Sequence, residues 1–454
     1  MKSLIGDKKF YRMVLIVCIP IVIQNGFTNL ASLLDNIMIG QLGTLSMSGV
    51  SISNQLFQVF NVSVFGAMSG AGIFLAQFYG RGNRDGVHHC FRIKMLLGLL
   101  ISILTICIFK VLGPSLISLY LNDDPTASLT TLNFGKQYMD VMLIGLIPFA
   151  ITQVFSSSLR ETGNTVLPMK ASVIAVIVNF CINYILIFGH FGFPKLGVIG
   201  AAIGTVVSRI VEMGINIAAG LNNNYLRDAM RLDKISGDIF KNVVKRGMPL
   251  LCNEILWSIS IALISQCYST RGLSAVAAIN VTTTVTNFFM IICYAMGNSI
   301  SIIVGQRLGA GEIEYAKDCD LKMVFMNFMM CLCIGVALFL CSSFIPQIYN
   351  TSIEVKSLAT SLLRVSACML PIISLYYSSY FTMRAGGKTL LTFFFDSGYT
   401  FMFTFMVALC LTRFTNLPIF NVYLLVQCVD IPKAVLGITL VKKGIWVHNI
   451  VNEL

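Results

Sequence analysis

Charge is what this sequence has least of. Only 11% of its 454 residues are Asp, Glu, Lys or Arg, against roughly 25% in an ordinary soluble domain. With 56% of the residues hydrophobic, a hydrated exterior over most of the structure is excluded, and lipid is the expected solvent. Histidine (4) and tryptophan (2) are scarce. No phosphate-binding loop, no Cys/His cluster at metal-ligand spacing and no nucleophile beside a base is present, which argues against an enzyme and against a resident metal or cofactor. The 14 cysteines lie scattered in apolar stretches, with only Cys331 and Cys333 close together and no CxxC. They read as small core residues and not as disulfides or ligands. Between the apolar stretches no segment remains for a soluble domain.

What the chain does have is long apolar runs, each able to cross about 30 Å of hydrocarbon. Twelve spans are expected, at 13–39, 50–79, 93–118, 134–160, 166–189, 196–220, 248–269, 278–305, 323–348, 360–384, 390–412 and 418–441. The runs are continuous and lack the ten-residue alternation of a barrel strand, so the expected fold class is an all-α integral membrane protein. The first run, Met13 to Ile39, is too long for the apolar part of a cleavable signal and reads as a retained helix.

A net charge of +12 does not point to nucleic acid, because the basic residues sit in short loops where anionic lipid head groups explain them. An N-terminus in the cytosol gathers Lys2, Lys8, Lys9, Arg12, Arg81, Arg84, Arg92, Lys94, Arg227, Arg231, Lys234, Lys241, Lys245 and Arg246 on one side. The acidic pair Asp123 and Asp124 falls on the other. The positive-inside bias then places both termini in the cytosol of a cell that carries this chain in its cytoplasmic membrane.

Sliding one half of the chain along the other by 229 residues aligns Pro20 with Pro249, Gly43 with Gly272, Gln77 with Gln306, Gly80 with Gly309, Gly82 with Gly311 and Cys90 with Cys319. A duplicated six-helix unit is expected, giving two parallel lobes at 1–221 and 247–454 joined by a cytosolic loop at 222–246. Two facing bundles are the usual frame for alternating access. Pro20 and Pro249 each remove a helix hydrogen bond at matched places and are the expected hinges.

A carboxylate inside an apolar span costs about 2.5 to 3.5 kcal/mol on insertion scales, so each needs a partner or a purpose. Asp35 lies roughly 6 Å inside the end of the first span, counting 1.5 Å per residue from Ile39. It could simply cap the following loop. Asn179 and Asn183 in the fifth span and Thr205 in the sixth fall at the same depth, however, and two asparagines four apart share a helix face. Both could hydrogen-bond a carboxylate or ligate a small cation through their carbonyl oxygens, or merely hold helices together.

The chain resembles the multidrug and toxic compound extrusion (MATE) transporters over essentially its full length. The resemblance rests on LLDNIMIGQLG from Leu33, QFYGRGN from Gln77, LRETGNT from Leu159, NFCINYILIFG from Asn179, GVIGAAIGT from Gly197 and RGMP from Arg246. It implies twelve helices in two lobes, export of organic cations in exchange for protons or sodium, and a protein that works as a monomer. It also implies that Asp35 is the coupling residue, with Asn179, Asn183 and, less directly, Thr205 beside it. Several members carry Asp where this chain has Asn183, which weakens the case for sodium held by two acids. A second site in one branch of the family pairs a Glu of helix 7 with an Asp of helix 10. Here Glu254 is the matching candidate, yet the tenth span has no acid between Thr360 and Met383. Glu254 therefore either attracts cationic substrate or hydrogen-bonds a neighbouring helix.

Arg209 with Glu212, and Asp430 with Lys433, are three apart and are expected to neutralise each other. Asp140 and Asp396 lie near span ends and are weaker candidates for a cavity, and His88 and His89 are expected in a solvated loop. The 32 Phe and 22 Met suit a greasy, polarizable wall for lipophilic cations. A competing function, flipping of a lipid-linked oligosaccharide, calls for Arg or Lys around the cavity to hold pyrophosphate. A channel or receptor would need neither duplicated lobes nor a titrating acid.

Overall fold

The computed structural model describes residues 4–121, 125–231, 234–349 and 351–453, and among these it is helical with no strand. Lys2, Asp123 and Asp124 lie outside the described residues. Among the described residues, twelve helices are long and apolar enough to cross a membrane: α1 (Lys8–Gly40), α2 (Thr44–Arg81), α3 (Arg84–Ser118), α4 (Thr126–Glu161), α5 (Val166–Phe188), α6 (Val198–Leu221), α7 (Gly237–Ser269), α8 (Leu273–Gly309), α9 (Ile313–Cys341), α10 (Ile353–Ala385), α11 (Thr389–Phe414) and α12 (Ile419–Lys442). In hydrocarbon every backbone amide must be satisfied within the chain, and helices do this locally.

Each helix matches an expected span and most run beyond it, but α9 ends at Cys341, short of the expected 348, with Ile345–Ile348 forming a separate 3-10 turn, and α5, α6 and α12 fall one or two residues short at one end. α3 begins at Arg84, where the Asn83 side chain accepts a hydrogen bond from the Gly86 amide at 2.9 Å and caps the first turn. His88 and His89 thus belong to α3 and are half-buried, with the Ser236 amide donating to His89 Nδ1 at 3.4 Å. Lys94 departs furthest from its expected place. It is fully buried and paired with Glu161 of α4, instead of standing in a loop.

Three helices are irregular inside, α12 being interrupted at Val429 between Ile419–Cys428 and Asp430–Lys442. α4 tightens to a 3-10 turn at Leu143–Gly145, and α11 widens into π turns at Phe394–Gly398 and Thr400–Phe405. Such π turns concentrate at functional sites because they re-aim side chains.

The chain divides into two compact units. One comprises Ile23–Leu75 and Asn83–Val244; the other comprises Met1–Val22, Ala76–Gly82 and Lys245–Leu454. α1 passes from one to the other between Val22 and Ile23, just after Pro20, which lies inside the helix. Pro249 likewise lies inside α7.

In the first unit, α5 and α6 pack through glycines. A Cβ on Gly200 would stand 2.7 Å from the Leu186 carbonyl, so only glycine allows this approach. In the second unit, a Cβ on Gly80 would lie 1.9 Å from the Gln306 carbonyl oxygen, and one on Gly309 would lie 1.9 Å from that of Gln77. The residues aligned by the internal repeat therefore meet reciprocally, the contact pattern of a two-fold axis. Gln77 Nε2 also donates to the Ala385 carbonyl at 3.0 Å, and its Oε1 accepts from the Ile450 amide at 2.9 Å.

Candidate ion and substrate site

Asp35, Asn179, Asn183 and Thr205 come together in the first unit. α1 carries Asp35, α5 carries the asparagine pair on one face, and α6 carries Thr205. Asn183 is fully buried, and its Nδ2 donates to Asp35 Oδ1 at 2.6 Å and to Asn179 Oδ1 at 3.3 Å. Asn179 Nδ2 donates in turn to Thr205 Oγ1 at 3.4 Å, and that hydroxyl donates to the Ala201 carbonyl at 3.1 Å. The result is a line of polar groups ending on a carboxylate, and no Lys or Arg nitrogen lies within 4 Å of Asp35 among the described residues.

The orientation of Asn183 is set by Gly204. The buried Asn183 Oδ1 has no hydrogen-bond partner and occupies the space a Cβ would take at Gly204, 2.0 Å from it. With that oxygen turned to α6, Asn183 presents a donor to Asp35, and not the carbonyl ligand that one sequence reading allowed. Gly204 was missed as a site residue; the spacing of Gly200 and Gly204 was the only signal for it.

Glu254 lies in the other unit, half-buried on α7, where Tyr380 of α10 donates to it at 3.1 Å. Near it, Asp396 sits in the first π turn of α11. Lys433 Nζ approaches Asp396 Oδ1 to 2.9 Å, and Asn253 Nδ2 donates to Oδ2 at 3.1 Å. This corrects the expected Asp430–Lys433 pair: Lys433 turns to α11, with its ammonium also 4.5 Å from the Tyr376 ring centroid. Asp140 pairs at 3.0 Å with Lys110 of α3, and both are exposed.

The expected Arg209–Glu212 pair does not form either. The Ser172 hydroxyl of α5 donates to Glu212, while the Arg209 guanidinium lies 4.9 Å from the Phe149 ring centroid and its buried Nη1 has no partner. Neighbours across the helix interface outcompeted the partner three residues away. Asp320 of α9, passed over in the sequence, is fully buried and accepts from Thr382 of α10 at 2.6 Å.

Comparison with known proteins gives this geometry a context. A family model described as MatE matches residues 20–185 and again 249–410, so the two matches begin at the aligned prolines. A probable multidrug resistance protein NorM of Thermotoga maritima is 27% identical over 377 residues, covering 82% of this chain and 79% of that one. The multidrug resistance protein MdtK of Pectobacterium atrosepticum is 24% identical, covering 77% and 76%. Among solved structures, an outward-facing multidrug resistance MATE family transporter superposes with a TM-score of 0.88 at 19% identity, covering 97% and 96%. A transporter of the MOP superfamily from Pyrococcus furiosus, described as having a binding pocket of reversed polarity that suggests a different function, superposes at 0.84 over 97% and 96%. Since the family model takes in most of the chain in two successive copies, and the helices follow the same course as those solved structures, this twelve-span membrane protein belongs to the MatE family of transporters.

Proposed function

We propose that the protein is a secondary antiporter that exports lipophilic organic cations in exchange for protons, with Asp35 as the group that the two cations occupy in turn. One observation carries this reading: Asp35 is held by an amide donor and by no cation. A carboxylate away from bulk water needs a compensating positive charge, and either a proton or a cationic substrate supplies one. Competition for a single negative charge is sufficient for antiport. The multidrug resistance names of the relatives agree with a cationic, chemically varied cargo.

Sodium remains the second reading, favoured by the oxygens of Asn179 and Thr205. Against it stand the donor that Asn183 presents to Asp35 and the lack of a second acid at residue 183. The lobes at 1–221 and 247–454 would rock about the 222–246 connection, with α1 bending at Pro20 and α7 at Pro249. Both termini would face the cytosol of a cell whose cytoplasmic membrane holds the protein as a monomer. Flipping of a lipid-linked oligosaccharide fits less well, because Asp35 puts an acid at the site, and Lys94 and Lys433 are already paired with Glu161 and Asp396.

The test uses purified protein in liposomes with a fluorescent lipophilic cation, under a pH gradient and a sodium gradient imposed separately. Export should follow the pH gradient and be lost in Asp35→Asn. Undiminished export by Asp35→Asn under both gradients would sink the assignment. Preferential binding of a labelled polyprenyl pyrophosphate over the cation would instead support the flippase.

A further inference from the structure

Below the Asp35 cluster, α6 carries a second set of charges that the exchange described above does not use. Thr205, Arg209, Glu212 and Asn216 recur at intervals of three and four, so they share one face of α6. Thr205 ends the line of polar groups from Asp35. Glu212 accepts from the Ser172 hydroxyl, and Ser172 Oγ accepts in turn from Gln24 Nε2 at 2.9 Å. Ser172 and Gln24 are both more than nine-tenths buried. Gln24 lies on α1 four residues past Pro20 and two past the point where α1 changes unit. The chain Glu212–Ser172–Gln24 therefore ties α1 to α5 and α6 immediately beyond its proline.

Arg209 stands on the same face, one turn from Thr205 at the end of the Asp35 line and one turn from Glu212 on the other side, and forms a salt bridge with neither Asp35 nor Glu212. Its contacts are the Phe149 ring and the space beside Gly145, where a Cβ would stand 3.6 Å from Nη1. The other charged or titratable groups facing this set are Arg160 of α4, which acts on Glu212, and Tyr138 of α4, which acts on Arg209. Arg160 is itself beside Glu161, which Lys94 neutralises. Along α6, Arg209 thus stands between the end of the Asp35 line and Glu212, with a salt bridge to neither carboxylate.

We propose that Glu212 and Arg209 are positioning residues for transport: Arg209 reports the charge state of Asp35 to Glu212, and Glu212 holds or frees α1 beyond Pro20 through Ser172 and Gln24. While Asp35 is ionised and empty, it and Glu212 attract Arg209 from opposite sides. Once Asp35 takes up a proton or a cation, the pull from that side vanishes. Arg209 then engages Glu212 and competes with the Ser172 hydroxyl, and the tether to Gln24 loosens. No covalent step is involved, and the proton gained by Asp35 stays on Asp35 until the site changes exposure. The idea rests on the reading of Asp35 as the exchange site.

The experiment uses the full-length chain in liposomes, the same fluorescent cation and a pH gradient, with Glu212→Gln, Glu212→Asp, Arg209→Gln and the double variant Arg209→Gln/Glu212→Gln. Glu212→Gln keeps the acceptor for Ser172 but removes the charge that draws Arg209. It should lower kcat about tenfold at unchanged KM and flatten the dependence on external pH. Glu212→Asp should restore most of the rate. The double variant should be no slower than the slower single, since both act in one chain of events. Ser172→Ala, which keeps both charges but breaks the tether, should still bind the cation and exchange it passively while losing gradient-driven accumulation. Parental kcat and pH dependence in both single variants, or effects that multiply in the double variant, would overturn the inference. A parent protein that ignores both pH and sodium gradients would instead overturn the underlying reading, and the same assay shows which has failed.

Discussion

Asp35 and Asp396 are the same residue type, each set in an apolar helix and each facing an asparagine, yet they are satisfied in opposite ways. Asp35 receives one hydrogen bond from Asn183 and meets no cation within 4 Å. Asp396 receives Asn253 on one oxygen and Lys433 on the other, in a pair whose side chains are 2% exposed for Lys433 and 14% for Asp396. A closed buried pair holds structure. On the reading proposed above, an acid held by an amide alone can exchange ions, because no cation at salt-bridge distance already neutralises it. If Asp35 exchanges ions as proposed, availability for exchange is set by what else satisfies the carboxylate and not by its burial.

The strongest way to break this comparison is to remove each charge. Asp35→Asn keeps a hydrogen-bonding partner for Asn183 but nothing for a proton, so gradient-driven export should fall by about a hundredfold or more while the unfolding temperature in detergent changes little. Asp396→Asn leaves Lys433 buried and unpaired, a loss of about 3 to 5 kcal/mol in stability, while the protein that remains folded stays coupled. If Asp396→Asn uncouples transport and Asp35→Asn only destabilises, the two sites have been read the wrong way round.

Next in size is the effect of Gly204→Ala. The added methyl would overlap Asn183 Oδ1, 2.0 Å from it, and must push the amide that holds Asp35. Export should drop about tenfold, consistent with the cost of misplacing a positioning group. Gly200→Ala, which meets the Leu186 backbone at 2.7 Å, should instead lower stability through α5–α6 packing. Equal transport losses at the two positions would show that helix separation, and not Asn183, is what matters.

Much of this was legible in the chain. Long apolar runs determine the helices, and an i, i+4 asparagine pair at the depth of a lone aspartate marks their convergence. What stayed hidden depends on partners distant in sequence. Lys94 meets Glu161, Lys433 meets Asp396, and Arg209 and Glu212 turn away from each other toward Phe149 and Ser172. Spacing along a helix shows which residues can pair, but a neighbouring helix offers competing partners, and only packing decides between them. The same limit hid Asp320, whose partner Thr382 is a helix away.

A finer test of the closed pair follows from the desolvation of both its members. Lys433→Met alone should destabilise by about 3 to 5 kcal/mol because it strands Asp396, and adding Asp396→Leu should recover most of the loss, since two apolar groups no longer need each other. The corresponding rescue is not expected for Asp35, which has no cationic partner to remove. Recovery of stability without change in coupling would sharpen the division between the two sites.

Glu254 is where the smallest effect is expected. Tyr380 donates to it, and no acid of α10 between Thr360 and Met383 completes a second cation site. Glu254→Gln retains an acceptor for Tyr380 and removes only the charge. If Glu254 serves as a helix–helix bond, export should stay within about twofold of the parent. The one-for-one exchange at Asp35 would then remain electrically neutral for a monovalent cargo. An imposed membrane potential is worth about 2.3 kcal/mol per charge per 100 mV, so it should leave both parent and variant unaffected. A parent that responds to the potential, with a response lost in Glu254→Gln, would make Glu254 a second ion carrier and would place an exchanging acid in each unit.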